Sequence, residues 1–145
     1  MPKPQPTHTR TPALVGWRLL ALTYDFFPML ALWFMTAGAF TFLHGDAVRG
    51  GWLGGVEFAA LWAVAGLYAT ISWRRGGQTI GMRPWRMRVV AMSDGGHVSW
   101  RQLWFRYAVG SASLLLAGAG FWWAWIDRDR LTWHDRASGT RILRD

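Results

Sequence analysis

The stretch that decides the fold is Leu19–Leu43, LLALTYDFFPMLALWFMTAGAFTFL, an apolar run interrupted by a single ionisable residue, Asp25. Its length and composition read as a membrane-spanning helix. A carboxylate inside such a helix costs at least a few kcal/mol, so it usually faces protein or water and marks a site. Arg18 precedes it by seven residues. Residues i and i+7 lie two turns apart on one helical face, so the two form a polar stripe leading inward from the helix start. Asp25 and Arg18 are therefore the candidate proton or cation site. The alternative is a structural ion pair, or an Arg106–Asp25 lock, that fixes helix packing.

Composition supports a membrane setting. Of the 145 residues 52% are hydrophobic and 12 are Trp, which is not the profile of an ordinary soluble domain. The net charge of +8 is carried almost wholly by arginine, in segments flanking the apolar runs. That distribution fits a bilayer and anionic lipid headgroups as partners and argues against nucleic acid, since no stacking-aromatic motif accompanies it. The absence of cysteine excludes disulfides, thiolate nucleophiles and Cys-ligated metals.

Working outward, residues 1–11 (MPKPQPTHTRT) read as a disordered polar tail, and Thr11-Pro12 as an N-cap and first helical residue. The rest, 12–145, reads as one membrane domain. Helix 12–43 contains Pro28, which should bend it one turn past Asp25 and free the Tyr24 carbonyl. Helix 52–73, bracketed by Trp52 and Trp73, spans roughly 33 Å and returns the chain to its starting side. Its small residues Ala59, Ala60, Ala63, Ala65 and Gly66 suit close antiparallel packing, and Tyr68, Thr70 and Ser72 fall near the expected depth of Asp25. The basic segment 74–99 is assigned to the cytoplasm by the positive-inside rule. Trp85–Met92, the turn Asp94-Gly95-Gly96 and His97-Val98-Ser99 predict a small β-hairpin there. Ser99 with Gln102 matches a capping box that starts a helix at Trp100.

The apolar stretch 100–126 has two readings. One continuous helix would carry the tail 127–145, with its five arginines, across the membrane. Two helices broken at Gly118-Ala119-Gly120 would form a re-entrant hairpin and keep the tail cytoplasmic; the glycines and the arginines favour this reading. The predicted fold is thus an all-α integral membrane protein: an antiparallel transmembrane hairpin, a small cytoplasmic β-hairpin, then a third apolar helix or re-entrant helical hairpin.

Three motifs in order then resemble the RDD family of bacterial membrane proteins, named for one arginine and two aspartates. Arg18 and Asp25 stand as the first two of these. Gly77-Gln78-Thr79-Ile80-Gly81 followed by Met87-Arg88-Val89-Val90 is similar to a second conserved segment, and Trp133-His134-Asp135-Arg136 with Gly139-Thr140 to a third, which makes Asp135 the second family aspartate. Met82-Arg83-Pro84 departs from the basic residue that many members carry directly after the glycine. The resemblance implies a multi-pass protein of the bacterial inner membrane, N-terminus cytoplasmic, with transport as the expected activity, some members being similar to cation/proton antiporters.

The remaining candidates carry weaker signals. Arg83, Arg86 and Arg88 are candidate lipid-headgroup contacts. Glu57 lies about 7.5 Å in from the far end of its helix, well away from Asp25, and reads as reaching water. His134-Asp135 lacks the further ligands a metal site needs, so no metal, cofactor or enzyme chemistry is expected; Asp135 reads as a turn cap or the partner of Arg83–Arg88 or Arg106. Gly77–Gly81 lacks the lysine and hydroxyl of a phosphate loop. With three or four helices and no internal repeat, a transporter of this size would work as a homo-oligomer.

Overall fold

The computed structural model describes residues 12–145; the expected disordered tail and the Thr11 cap lie outside them. The chain is mostly helical: α1 (Val15–His44), α2 (Gly51–Gly76), a 3-10 turn (Arg83–Trp85), β1 (Met87–Ala91), α3 (Trp100–Leu115), α4 (Ala119–Ile126), α5 (Trp133–Ser138) and β2 (Thr140–Arg144). The first helix starts at Val15 rather than at Pro12, because Leu14 takes a left-handed conformation at the N-cap. It runs uninterrupted through Pro28 and ends at Gly45, whose positive φ closes the last turn. α1 and α2 are long and apolar enough to cross a membrane. They pack antiparallel, with the Trp33 indole donating to the Leu61 carbonyl at 3.1 Å.

The small sheet forms with a different partner from the one expected. β1 pairs antiparallel with β2 at the C-terminal end of the chain, Val89 opposite Ile142 and Ala91 opposite Thr140. Residues 97–99 form no strand. The Asp94–Gly96 turn is present, with Asp94 accepting from the Gly96 N–H at 3.0 Å, but the backbone beyond it is taken up elsewhere: the Val98 carbonyl accepts from Arg74 and Ser99 caps α3. Alternation decides the pairing, since Met87, Val89 and Ala91 on β1 and Thr140 and Ile142 on β2 all point inward. The sheet places the C-terminal residues at the same end of the molecule as the segment that follows α2.

The last apolar stretch is two helices, not one. α3, opened by the Ser99/Gln102 capping box, meets α4 at an angle of 97°. The break falls at 116–118, where Ala117 and Gly118 both have positive φ, two residues before the expected site. α4 turns back so that Ala124 packs on Ala13 and Val15 at the start of α1.

The packed core lies at one end. Leu14, Ala21, Met82, Met87, Val89, Leu103 and Ile142 form it, with Trp17, Trp73 and Trp85 against them. Between residues 26 and 64 no side chain is buried. The molecule is therefore a compact foot, built from the first three turns of α1, the last turns of α2 and everything after them, from which the rest of the α1/α2 hairpin projects.

Candidate functional site at the foot of the hairpin

Within the foot Arg18 and Arg106 converge on Asp135. Arg18 pairs with one carboxylate oxygen at 2.7 Å and Arg106 with the other. All three side chains are buried, Asp135 completely. Their remaining bonds come from threonines: Arg18 donates to Thr132 Oγ1 at 3.3 Å and Arg106 to Thr140 Oγ1 at 2.9 Å. Asp135 doubles as the third residue of a capping box with Thr132, accepting its N–H at 3.2 Å, so one carboxylate opens α5 and binds α1 and α3 to it. Burial by itself would push the Asp135 carboxyl up, but the two guanidinium groups outweigh it and hold it well below the usual carboxylate range. Next to it His134 is buried against Phe121. Burial, reinforced by Arg106, pushes its imidazole well below the ordinary value and keeps it neutral.

Arg18 is thus not the partner of Asp25. Two turns further along α1, Asp25 is buried and accepts three hydrogen bonds, all from uncharged donors: Tyr68 Oη at 2.7 Å and the Gly81 N–H at 2.8 Å on Oδ1, and Thr79 Oγ1 on Oδ2. Among the described residues it has no ion-pair partner. Two of the donors come from the loop after α2. The loop can lie this close because Gly81 has no side chain; a Cβ there would sit 2.1 Å from the Ala21 carbonyl oxygen. Thr79 and Gly81 were legible only as members of the second motif. Nothing in their spacing pointed to Asp25.

The three motifs, 114 residues apart from Arg18 to Thr132, therefore meet in one place, with Arg18 and Asp25 on the same helix and facing different neighbours. A family model matches residues 12–139, most of the chain. The protein belongs to the RDD family. No curated protein and no solved structure matches the chain.

In this RDD protein a cavity of about 470 Å³ lies between α1 and α3, with α2 as its back wall. Arg18, Arg106 and His134 line it at the foot, Asp25, Tyr68 and Thr79 part-way along, and apolar residues such as Leu22, Met29, Trp33 and Phe58 line the remainder. Asp25 stands at the junction with the projecting hairpin rather than in the middle of a span. The exposed stretch Phe26–Leu43 beyond it is about 27 Å long, itself close to a hydrocarbon thickness of about 30 Å.

Other expected residues lie apart from the carboxylates. Thr70 is buried but donates back to the Gly66 carbonyl at 2.7 Å, and no bond joins Ser72 to Asp25. Arg106 belongs to the Asp135 cluster and not to Asp25. Arg83, Arg86 and Arg88 are exposed, Arg88 beside Asp145. Asp127 and Asp129 both bind Arg136 and so brace the α4–α5 connection.

Proposed function

We propose that this RDD chain is a transport-related protein of the bacterial inner membrane, N-terminus cytoplasmic, in which Asp25 takes up and releases a proton or small cation. The observation that carries the reading is a buried carboxylate on a cavity wall with three neutral donors and, among the described residues, no cationic partner. A residue serving only as an ion-pair anchor would resemble Asp135. Asp25 differs in that its charge is balanced by dipoles alone, so a proton or cation can replace them at modest cost. The Tyr68 and Thr79 hydroxyls beside the carboxylate are hard oxygen ligands of the kind a small alkali or alkaline-earth cation takes. Protonation removes an acceptor from the loop 79–81, so occupancy and loop docking are coupled. Arg18 acts here by fixing α1 to α5. A complete pathway is assigned to a homo-oligomer, and no enzyme chemistry or cofactor is assigned.

The test is proton and alkali-cation flux in proteoliposomes containing wild type and Asp25→Asn, with oligomeric state measured on the same samples. Flux in wild type that disappears in a folded Asp25→Asn protein supports the reading. Absence of flux at every pH and with every alkali cation removes it.

A second reading, a non-transporting scaffold, assembly factor or anionic-lipid-binding module, is favoured by the Arg18–Asp135–Arg106 cluster, whose geometry is that of a lock. Its working surface would be the exposed Arg83, Arg86 and Arg88. Replacing Arg86 and Arg88 with Glu then abolishes binding to anionic liposomes, and unchanged binding removes this reading.

A further inference from the structure

The cavity has a chemistry of its own, independent of whether Asp25 moves ions. At its foot two guanidinium groups share one carboxylate and the adjacent imidazole is neutral, which leaves an excess of one positive charge in a buried place. Among the described residues Arg18 Nε, Arg106 Nε and the Trp73 indole N–H, on residues that line the cavity, are buried and have no hydrogen-bond partner. Arg106 and Arg18 are themselves nearly inaccessible, at 2% and 4% exposure. These nitrogens are themselves sealed from the cavity, so what an occupant meets at the foot is the excess positive charge of the two guanidinium groups, which a buried place leaves costly without a counter-charge.

The rest of the wall sets the form of that acceptor. Beyond Asp25 the lining is apolar, and a second groove of about 420 Å³ continues the path along the hairpin, sharing Trp33, Phe58, Trp62 and Tyr107 with the first. A hydrated inorganic anion has no use for this length of hydrocarbon wall, and a cation is repelled by the foot. A neutral hydrocarbon would leave the excess charge at the foot uncompensated. Asp25, roughly 10 Å along α1 from Arg18, already takes up the Tyr68, Thr79 and Gly81 donors, so that part of the wall leaves an anionic head nothing to bind and the arginines at the foot are its place. The volume of the cavity falls within the roughly 300–1,000 Å³ typical of small-ligand sites.

We propose that the cavity between α1 and α3 binds a single-chain amphiphile with an anionic head, a carboxylate or a phosphate monoester, the head at Arg18 and Arg106 and the chain running past Met29 and Trp33. The two sources of such a molecule are a free fatty acid and a lysophosphatidate drawn from the bilayer.

Native mass spectrometry of the full chain in a neutral maltoside detergent tests this with four probes: stearate, lysophosphatidate, stearyl alcohol and two-chain phosphatidylglycerol. The expected result is a one-to-one adduct with stearate or lysophosphatidate, whichever is stronger naming the source, at a concentration at least tenfold below that needed for the alcohol or the two-chain lipid. Leu22→Trp and Met29→Trp, which fill the cavity from partly exposed positions without touching the arginines, should each weaken the adduct at least tenfold. Equal binding of stearate and stearyl alcohol overturns the proposal. So does the absence of any adduct with either anionic probe, or an adduct undiminished in both variants. The comparison of stearate with its alcohol uses wild type alone, so it decides the matter even where a variant fails to fold.

Discussion

The two parts of α1 obey opposite rules. From Val15 to Asp25 the helix buries Val15, Arg18, Ala21 and Asp25, a stripe at three- and four-residue spacing that turns two charged side chains inward. From Phe26 to His44 nothing is buried, and Phe27, Phe34, Met35, Phe42 and Leu43 stand exposed at 68% or more. The foot hides its charges and the hairpin displays its hydrocarbon. One helix therefore has two characters, packed against protein over its first three turns and presenting hydrocarbon side chains over the rest, with Asp25 at the boundary.

The largest expected effect comes from breaking the foot. Asp135→Asn leaves Arg18 and Arg106 buried without a counter-charge, which costs about 3–5 kcal/mol. The expected outcome is loss of the cooperative thermal unfolding transition in detergent, or a fall in its midpoint far beyond that of any exposed substitution. An unchanged midpoint would mean that the cluster does not hold α1, α3 and α5 together.

The converse substitution tests the hairpin. Phe34 lies near the centre of the exposed stretch, where replacing it with Asp should cost about 3 kcal/mol of membrane insertion. The measurement is the fraction of chain integrated into microsomes or vesicles. Undiminished integration would show that this stretch does not face hydrocarbon, and the contrast between the two parts of α1 would fall.

The hairpin was largely legible in the sequence because its signal is local. An apolar run, a short glycine-bearing loop and a second run between tryptophans need no distant partner to be read. The Ser99/Gln102 box was legible for the same reason. The foot was not. The predicted strand 97–99 is replaced as the partner of β1 by residues about fifty positions away in sequence, and alternation in a strand reports which face is buried without reporting against what. The i and i+7 spacing puts Arg18 and Asp25 on one face and pairs them on paper. Yet a long guanidinium reaches sideways, and here it reaches α5. The resemblance to a family brought Asp135 into view without its partners, and no sequence spacing announces that Thr79 and Gly81 close over Asp25.

The pH dependence of the foot sharpens the comparison next. His134 is held well below its ordinary value, so the folded chain declines a proton that the unfolded chain accepts. Stability contributed in this way is fully present above about pH 6.5 and is lost as pH falls below it, by up to about 1.4 kcal/mol per pH unit. Asp135, also held low, adds a second loss below about pH 4. His134→Phe should remove the first decline and leave the second. Unfolding midpoints at pH 7.5 and 5.5 check this, and equal slopes in the two proteins would exclude His134 as the source.

The smallest effect lies at the boundary. The Tyr68 hydroxyl donates to Asp25 and accepts from the Ile80 N–H at 3.3 Å, so it joins α2 to both α1 and the loop. Tyr68→Phe removes one of three donors to the carboxylate while Gly81 and Thr79 remain, and a hydrogen bond to a charged group is worth about 1.5 kcal/mol. The loss should shrink when Asp25 is first replaced by Asn, since the amide no longer carries the charge the phenol stabilises. A double-mutant cycle of Tyr68→Phe with Asp25→Asn, read by unfolding midpoints, should therefore give a coupling of about 1 kcal/mol. Simple additivity would show that the phenol does not act through Asp25 and that Tyr68 serves only to hold the loop through the Ile80 N–H.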